Sequence, residues 1–321
     1  MSIEEQKVQL TRHVLNGETM GTRYSAIFYA AEGLEIKDVD AALYEAVNRV
    51  DCQMSTWKPE SDLMQLNAAQ PGEWVDTPHE LMLVLQKSLA IGRQSYGAFD
   101  IGLGSLVNAW GFGPNGNTLD TPQIKDQLGR KLDCAHDIFE LDIPGKRARK
   151  LQPIQLDLSG IAKGFAVDEM TQCLCKFEVE HALVSLDGEL RAKGRQSGTM
   201  PWSVAVESPE YDKRSALGVI SLEDASIATS GDYRHWVELG KNRLSHTMDR
   251  QVGGPVSNKL ASVTVVADDC IEADAWATVL LVLGEVAGPA LARARNMDAL
   301  FLARRADGIE QIPVGDIFTF A

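Results

Sequence analysis

Residues 22–30, Thr-Arg-Tyr-Ser-Ala-Ile-Phe-Tyr-Ala, are rich in aromatic and β-branched side chains and predict a strand. A helix then opens at Asp38, where Leu43, Val47, Val50 and Met54 recur at spacings of four, three and four. Thr77-Pro78-His79-Glu80 has the form of a capping box with proline at the first helical position, and predicts a second helix through about Ser95, ended by Gly97. Residues 101–125 are rich in Gly, Asn and Pro and predict a long loop, a feature often tied to function. Residues 127–156 are charged and irregular, with strand-like fragments such as 137–141.

Ser159 is placed to cap a third helix whose apolar side carries Ala162, Phe165, Ala166, Met170 and Leu174. Short strands are predicted at 181–186, 202–207, 217–222 and 262–267. A helix over 271–283, capped by Gly284, a further helix over 285–295, and strands near 299–304 and 309–313 complete the pattern. Strands come in runs rather than alternating with helices, which favours an α+β fold with antiparallel sheets over a doubly wound parallel sheet. No composition shift marks a domain boundary. Residues 1–19 read as a polar leader and 20–321 as a single domain.

Composition narrows the function. The 321 residues are 45% hydrophobic and 24% charged, as in an ordinary globular protein. The formal charge of -14 argues against nucleic-acid binding and against docking on anionic lipid. Cys52, Cys134, Cys173, Cys175 and Cys270 are odd in number and scattered, so they imply no disulfide framework. Met1 to Gly17 has no apolar core or cleavage site of a signal peptide, and no apolar stretch reaches membrane-spanning length.

Chemistry concentrates in a few segments. Asp274 and Thr278, four residues apart in a helical stretch, share a face and offer two hard oxygens suited to Mg²⁺ or Ca²⁺. Asp157-Leu158-Ser159-Gly160-Ile161-Ala162-Lys163-Gly164 lies at a helix start, where free N–H groups and Lys163 favour an anion. It lacks the glycine spacing and Lys-Ser/Thr pair of a Walker loop. Gly97-Ala98-Phe99-Asp100 and Leu106 to Gly113 combine glycines with flat aromatic surfaces. Ser245-His246-Thr247-Met248-Asp249 sets a histidine near a carboxylate, and Thr229 to Tyr233 forms a polar turn. No serine sits in a hydrolase elbow.

In their order, these segments resemble the ApbE family, the FAD:protein FMN transferases. The resemblance runs from Met20-Gly21-Thr22 through Met54-Ser55-Thr56-Trp57 with Ser61 and Asn67, then Gly97 to Asp100 and Leu106 to Gly113. It continues through Asp157 to Gly164 with Asp168, Ala228 to Tyr233, Ser245-His246 with Asp249 and Gly253, and Ala273 to Thr278. It implies two T-fold-like halves with FAD bound between sheets and loops. The implied reaction moves FMN from FAD onto a Thr or Ser hydroxyl of a target protein and releases AMP. Targets in the family are flavoprotein subunits of redox-driven membrane complexes and periplasmic reductases.

By the same resemblance, Met20, Trp57, Ala98, Phe99, Asp100, Asp157, Lys163, His246 and Met248 would form the flavin site. The Gly160 carbonyl, Asp274 and Thr278 would hold Mg²⁺, with Ca²⁺ as the alternative and Ala277 lending backbone nearby. Lys163 and Asp274 would act on the diphosphate. Histidine ordinarily ionises in the range suited to a general base, which makes His246 the candidate, a role that an Asp near the metal could fill instead. The chain departs from the family at Asp187, where a glycine is usual, at Arg250-Gln251-Val252, and at Gly102 and Ser105. An FAD diphosphatase and a non-catalytic flavin-binding protein are the rival readings. The expected location is the periplasmic side, with the cytoplasm as the alternative.

Overall fold

A computed structural model describes residues 9–114, 119–127, 132–210, 215–232, 236–239 and 242–319. The chain opens with a hairpin of β1 (Leu10–Thr19) and β2 (Thr22–Ala31), paired over the full length of both strands. Residues 10–19 are therefore sheet rather than leader. Their polar character fits an edge strand, whose outer positions meet water while Leu15 packs on the core and His13 stacks on Phe28. Residues 1–8 lie outside the described residues.

Next come α1 (Ile36–Met54), α2 (Asp62–Ala68), β3 (Val75–Asp76) and α3 (His79–Gln94). The Thr77 capping box does not form: Pro78 is the cap residue, and the Thr77 hydroxyl donates to the Val75 carbonyl at 3.1 Å. Glu80 turns instead to Arg49 Nε at 3.0 Å and Gln53 Nε2 at 3.1 Å on α1, since a charged partner holds a carboxylate better than a backbone N–H. The expected loop 101–125 carries two short helices, α4 (Gly104–Ala109) and α5 (Thr121–Gln127). Then follow α6 (Ala135–Ile138), β4 (Phe139–Asp142) and β5 (Arg147–Lys150), the last two forming a small sheet with β3.

The helix read from Ser159 is α7 (Ala162–Lys176), with Ile161 at its cap position and no side-chain cap. After it come β6 (His181–Leu186), β7 (Glu189–Lys193), β8 (Trp202–Glu207), β9 (Ala216–Leu222), β10 (Ser226–Gly231), β11 (Trp236–Leu239) and β12 (Asn242–Ser245). The last elements are β13 (Met248–Asp249), β14 (Gly254–Pro255), β15 (Leu260–Ala267), α8 (Cys270–Ala294), β16 (Asp298–Arg305) and β17 (Gly308–Val314). Gly284 interrupts α8 with φ +75°, as its position after the first apolar run predicts. Contrary to the expectation that no apolar stretch reaches membrane-spanning length, α8 is long and apolar enough to cross a membrane, but Ala273 to Ala277 and Val279 to Leu281 are buried in the protein.

One eight-stranded sheet runs β1-β2-β6-β7-β10-β15-β16-β17, with antiparallel neighbours throughout. Each half is a hairpin or strand pair, then helices, then a second hairpin, as expected of T-fold-like halves. They join edge to edge, where Ser226 and Ile227 of β10 pair with Arg191 and Leu190 of β7. Tyr24, Ala26 and Phe28 of β2 face the helical layer, where Leu43 and Val47 of α1, Met170 of α7 and Val279 of α8 share one core. On the opposite face, the β8–β9 hairpin packs Trp202, Val204 and Leu222 over Ile227, Leu300 and Leu302.

Candidate active site

The start of α7 crosses α8 at very short range. The Gly164 N–H donates to Asp274 Oδ2 at 2.9 Å. A Cβ on Gly164 would lie 2.4 Å from the Cys270 carbonyl oxygen and 2.8 Å from Asp274 Cβ, so only glycine permits this approach. Asp274 is 4% exposed. One turn on, the Thr278 hydroxyl lies 3.0 Å from Ser230 Oγ on β10. Gly160 faces both Thr278 and Phe99: a Cβ there would sit 3.3 Å from Thr278 Oγ1 and 3.4 Å from Phe99 Cε2. Ala277 precedes Thr278 with its methyl in the core. The predicted metal residues thus converge where α7, α8 and β10 meet.

Lys163 lies beside them and is held by carboxylates. Its Nζ donates to Glu189 Oε1 at 2.8 Å and to Asp187 Oδ2 at 3.4 Å. Burial pulls the lysine pKa down, but Glu189, Asp274 and Asp187 together outweigh it and keep the ammonium charged above its ordinary range. Burial also raises both acids. Asp274 is pushed up to about 7 by desolvation and by Glu189, against the pull of Lys163 and the Gly164 N–H. Glu189 rises by desolvation despite Lys163, and its Oε2 is buried with no hydrogen-bond partner among the described residues. One lysine faces three carboxylates, so the pocket favours a further cation.

Asp168 ties the scaffold. It accepts from the backbone N–H groups of Cys270 at 3.0 Å and Ile271 at 2.9 Å, at the start of α8. It also pairs with Arg191 of β7, which reaches Asp269 at 2.9 Å. The segment leading into α7 is held by Asn67. That side chain accepts from the Leu156 N–H at 2.7 Å and donates to the Leu156 carbonyl at 3.0 Å. Buried Lys150 donates to the Asn67 carbonyl at 2.7 Å and the Ile154 carbonyl at 3.3 Å, and desolvation lowers its pKa. Asp157, next in line, accepts from the Ser159 N–H at 2.8 Å, and this turn replaces the expected Ser159 cap.

The other predicted flavin residues are spread over several elements. Met20 sits at the β1–β2 turn with φ +50°, and its side chain, like Ala98, packs on the main core. Trp57 is 63% exposed after α1. The His246 ring meets Phe112 edge-on with centroids 6.4 Å apart, and Met248 packs with Leu103 and Leu106. The Asp100 carboxylate is turned inward. Its Oδ1 accepts from Gly102 N–H at 2.8 Å and Ala135 N–H at 3.1 Å, while Oδ2 lies 3.7 Å from Arg250 Nε. Tyr233 lies outside the described residues.

Sequence reading missed Glu189, Ser230 as the partner of Thr278, Lys150, and the bonds of Asp187. The one signal for Glu189 is a charge at the start of an otherwise half-buried strand. Lys150 is one basic residue among three in Arg147–Lys150, with nothing to set it apart.

The sequence profile of the ApbE family matches residues 20–301, which takes in every element of this site. A Vibrio cholerae FAD:protein FMN transferase is 34% identical over 299 residues, 92% of this chain and 89% of that protein. The protein of that name from Escherichia coli (strain K12) is 30% identical over 300 residues, 92% and 86% of the two chains. The solved flavin transferase ApbE of Vibrio cholerae superposes with a TM-score of 0.86 at 30% identity, covering 98% of this chain and 100% of that one. The ApbE protein of Thermotoga maritima superposes at 0.83 with 25% identity, covering 95% and 97%. Matching along nearly the whole sequence and over the whole fold, this chain belongs to the ApbE family.

Proposed function

We propose that this chain transfers FMN from FAD to a Thr or Ser hydroxyl of a target flavoprotein and releases AMP. The observation that carries the reading is the convergence of Gly160, Asp274 and Thr278 beside Lys163, at the contact of α7 with α8. The family relatives bearing the name FAD:protein FMN transferase support it.

The donors fit Mg²⁺, and Ca²⁺ would suit the same hard oxygens. Gly160 leaves the approach to the Thr278 hydroxyl open, and the buried surplus of carboxylates around Lys163 calls for a cation. The Gly160 carbonyl, Asp274 and Thr278 would hold the ion, with backbone of Ala277 close by. When bound, it supplies Lewis-acid stabilisation to the FAD diphosphate.

The residues of the chain then divide the work. Lys163 places a fixed positive charge where the leaving phosphate gains negative charge. Ser230 fixes the orientation of the Thr278 hydroxyl through their shared hydrogen bond. His246 takes the proton from the acceptor hydroxyl as that oxygen bonds to the phosphorus bearing riboflavin. The bond from that phosphorus to the oxygen of AMP breaks in the same step, so AMP departs with both electrons of the bond. Phe99, Met20, Trp57, Ala98, Asp157 and Met248 supply the flavin-facing surfaces, and Asp100 holds its loop in place from inside. The target is a flavoprotein subunit of a redox-driven membrane complex or a periplasmic reductase, and the protein works on the periplasmic side.

Incubation with FAD, Mg²⁺ and an acceptor protein tests this. Flavin fluorescence that stays on the denatured acceptor, with one AMP per flavin, is the expected result. FMN and AMP free in solution with no labelled acceptor would show a diphosphatase instead. Unchanged bound FAD would leave only a flavin-binding role.

A further inference from the structure

Two hairpin turns lie side by side at one end of the sheet. Thr19 pairs with Thr22 across Met20-Gly21, and Leu186 pairs with Glu189 across Asp187-Gly188. All four turn residues have positive φ, the pattern of type I′ turns: +50° and +71° in the first, +54° and +115° in the second. Because β2 pairs directly with β6, Tyr24 against Leu186, the two tips are neighbours. Glycine, asparagine or aspartate would serve the turn at position 187 equally well. The choice of aspartate is explained by what its carboxylate reaches.

Its Oδ1 accepts from the Thr22 hydroxyl at 3.1 Å, and its Oδ2 accepts from Lys163 Nζ at 3.4 Å. One carboxylate therefore links the Met20 turn to the lysine at the head of α7. Glu189 already holds Lys163 at 2.8 Å from a side chain only 4% exposed. Asp187 is the longer, more exposed partner, with its side chain 36% accessible. Of the two, it is the one an incoming anion can displace.

The geometry points to Asp187 as a positioning residue that occupies the anion position on Lys163 until a diphosphate takes its place. This rests on the FAD-dependent reading proposed above, in which Lys163 serves the diphosphate. Glu189 anchors the ammonium from below, and Asp187 holds it from the solvent side. Ligand entry exchanges one Lys163 ion pair for another and releases Thr22, so the Met20 turn is freed in the same event. The exchange raises KM for FAD while leaving the transfer step itself little changed.

The test is a binding cycle in metal-free buffer with two probes, inorganic pyrophosphate and FAD. Asp187→Asn keeps the turn and an acceptor for Thr22 but removes the charge. It is expected to bind both probes about two- to fivefold more tightly than wild type, the scale of a half-exposed charge pair. Asp187→Gly, which also suits the turn, is expected to tighten pyrophosphate binding in the same direction. In a Lys163→Gln background the Asp187→Asn change is expected to alter FAD affinity far less. Unchanged or weaker binding by Asp187→Asn, or equal tightening without Lys163, would overturn the assignment. Wild type that binds FAD with no tightening in the variant removes the role of Asp187 and leaves the transferase reading intact. Tighter pyrophosphate binding in a protein that ignores FAD supports Asp187 and removes the flavin reading.

Discussion

Gly164 and Asp274 are joined by a backbone-to-carboxylate hydrogen bond of 2.9 Å, and the space between α7 and α8 at that point admits no side chain. The bond aims a buried acid at the head of a helix. It also makes the separation of the two helices part of the site.

Gly164→Ala tests that separation. Alanine is the better helix former by about 1 kcal/mol, so a loosely packed position would gain stability. Here the added methyl meets the Cys270 carbonyl at 2.4 Å, and backbone cannot move aside as a flexible side chain can. Overpacking of this kind costs about 1–3 kcal/mol, so a net loss of stability is expected in urea denaturation. A variant more stable than wild type would show that the helices are not in contact there.

Asn67→Ala removes both bonds to Leu156 from a buried site. Loss of about 2–3 kcal/mol is expected, because the Leu156 N–H and carbonyl stay buried without their partner. Flavin affinity should fall with it, since the same clamp positions Asp157 and Gly160. Denaturation midpoints and FAD titration of one preparation check both effects; a change below about 0.5 kcal/mol, ordinary for a surface site, would refute the clamp.

Asp100 sets a pH dependence. Burial raises its pKa above 3.8 in the folded protein, opposed by the N–H groups of Gly102 and Ala135 and by Arg250. The folded state thus holds this proton more tightly than the unfolded chain. Its contribution to stability is fully present below 3.8 and is lost as pH rises through the folded value. Asp100→Asn, which cannot titrate, is expected to flatten the decline of stability over that window. Parallel profiles for variant and wild type, read from urea midpoints between pH 3.5 and 7, would contradict the assignment.

Much of the fold was legible because its apolar periods are strong. The helix at 271–283 with its Gly284 stop, and the strands at 181–186 and 262–267, all stand where the pattern put them. Strand β1 was hidden by its edge position, which exposes alternate polar residues. β10 (Ser226–Gly231) was hidden because its second half falls in Thr229 to Tyr233, which reads as a polar turn, yet Thr229 and Ser230 face partners on β15 and α8. In the site, Asp274, Thr278, Gly160 and Lys163 could be named from short-range pattern and family resemblance. Glu189 and Asn67 gain their roles from contacts 26 and 89 residues away, which no local pattern encodes. Asp100 shows the converse: its segment marks a ligand-facing loop, while its carboxylate secures the loop from inside.

On the function proposed above, Asp274 and its neighbours split FAD with the aid of a divalent ion. The most direct measurement is AMP release from FAD with and without Mg²⁺, in wild type and in Asp274→Ala, with FAD binding followed in parallel. Wild type is expected to release AMP only with Mg²⁺. Asp274→Ala is expected to lose at least about a hundredfold in rate, the scale of a lost transition-state electrostatic contact, while still binding FAD. Mg²⁺-dependent AMP release at the wild-type rate in Asp274→Ala would contradict the account.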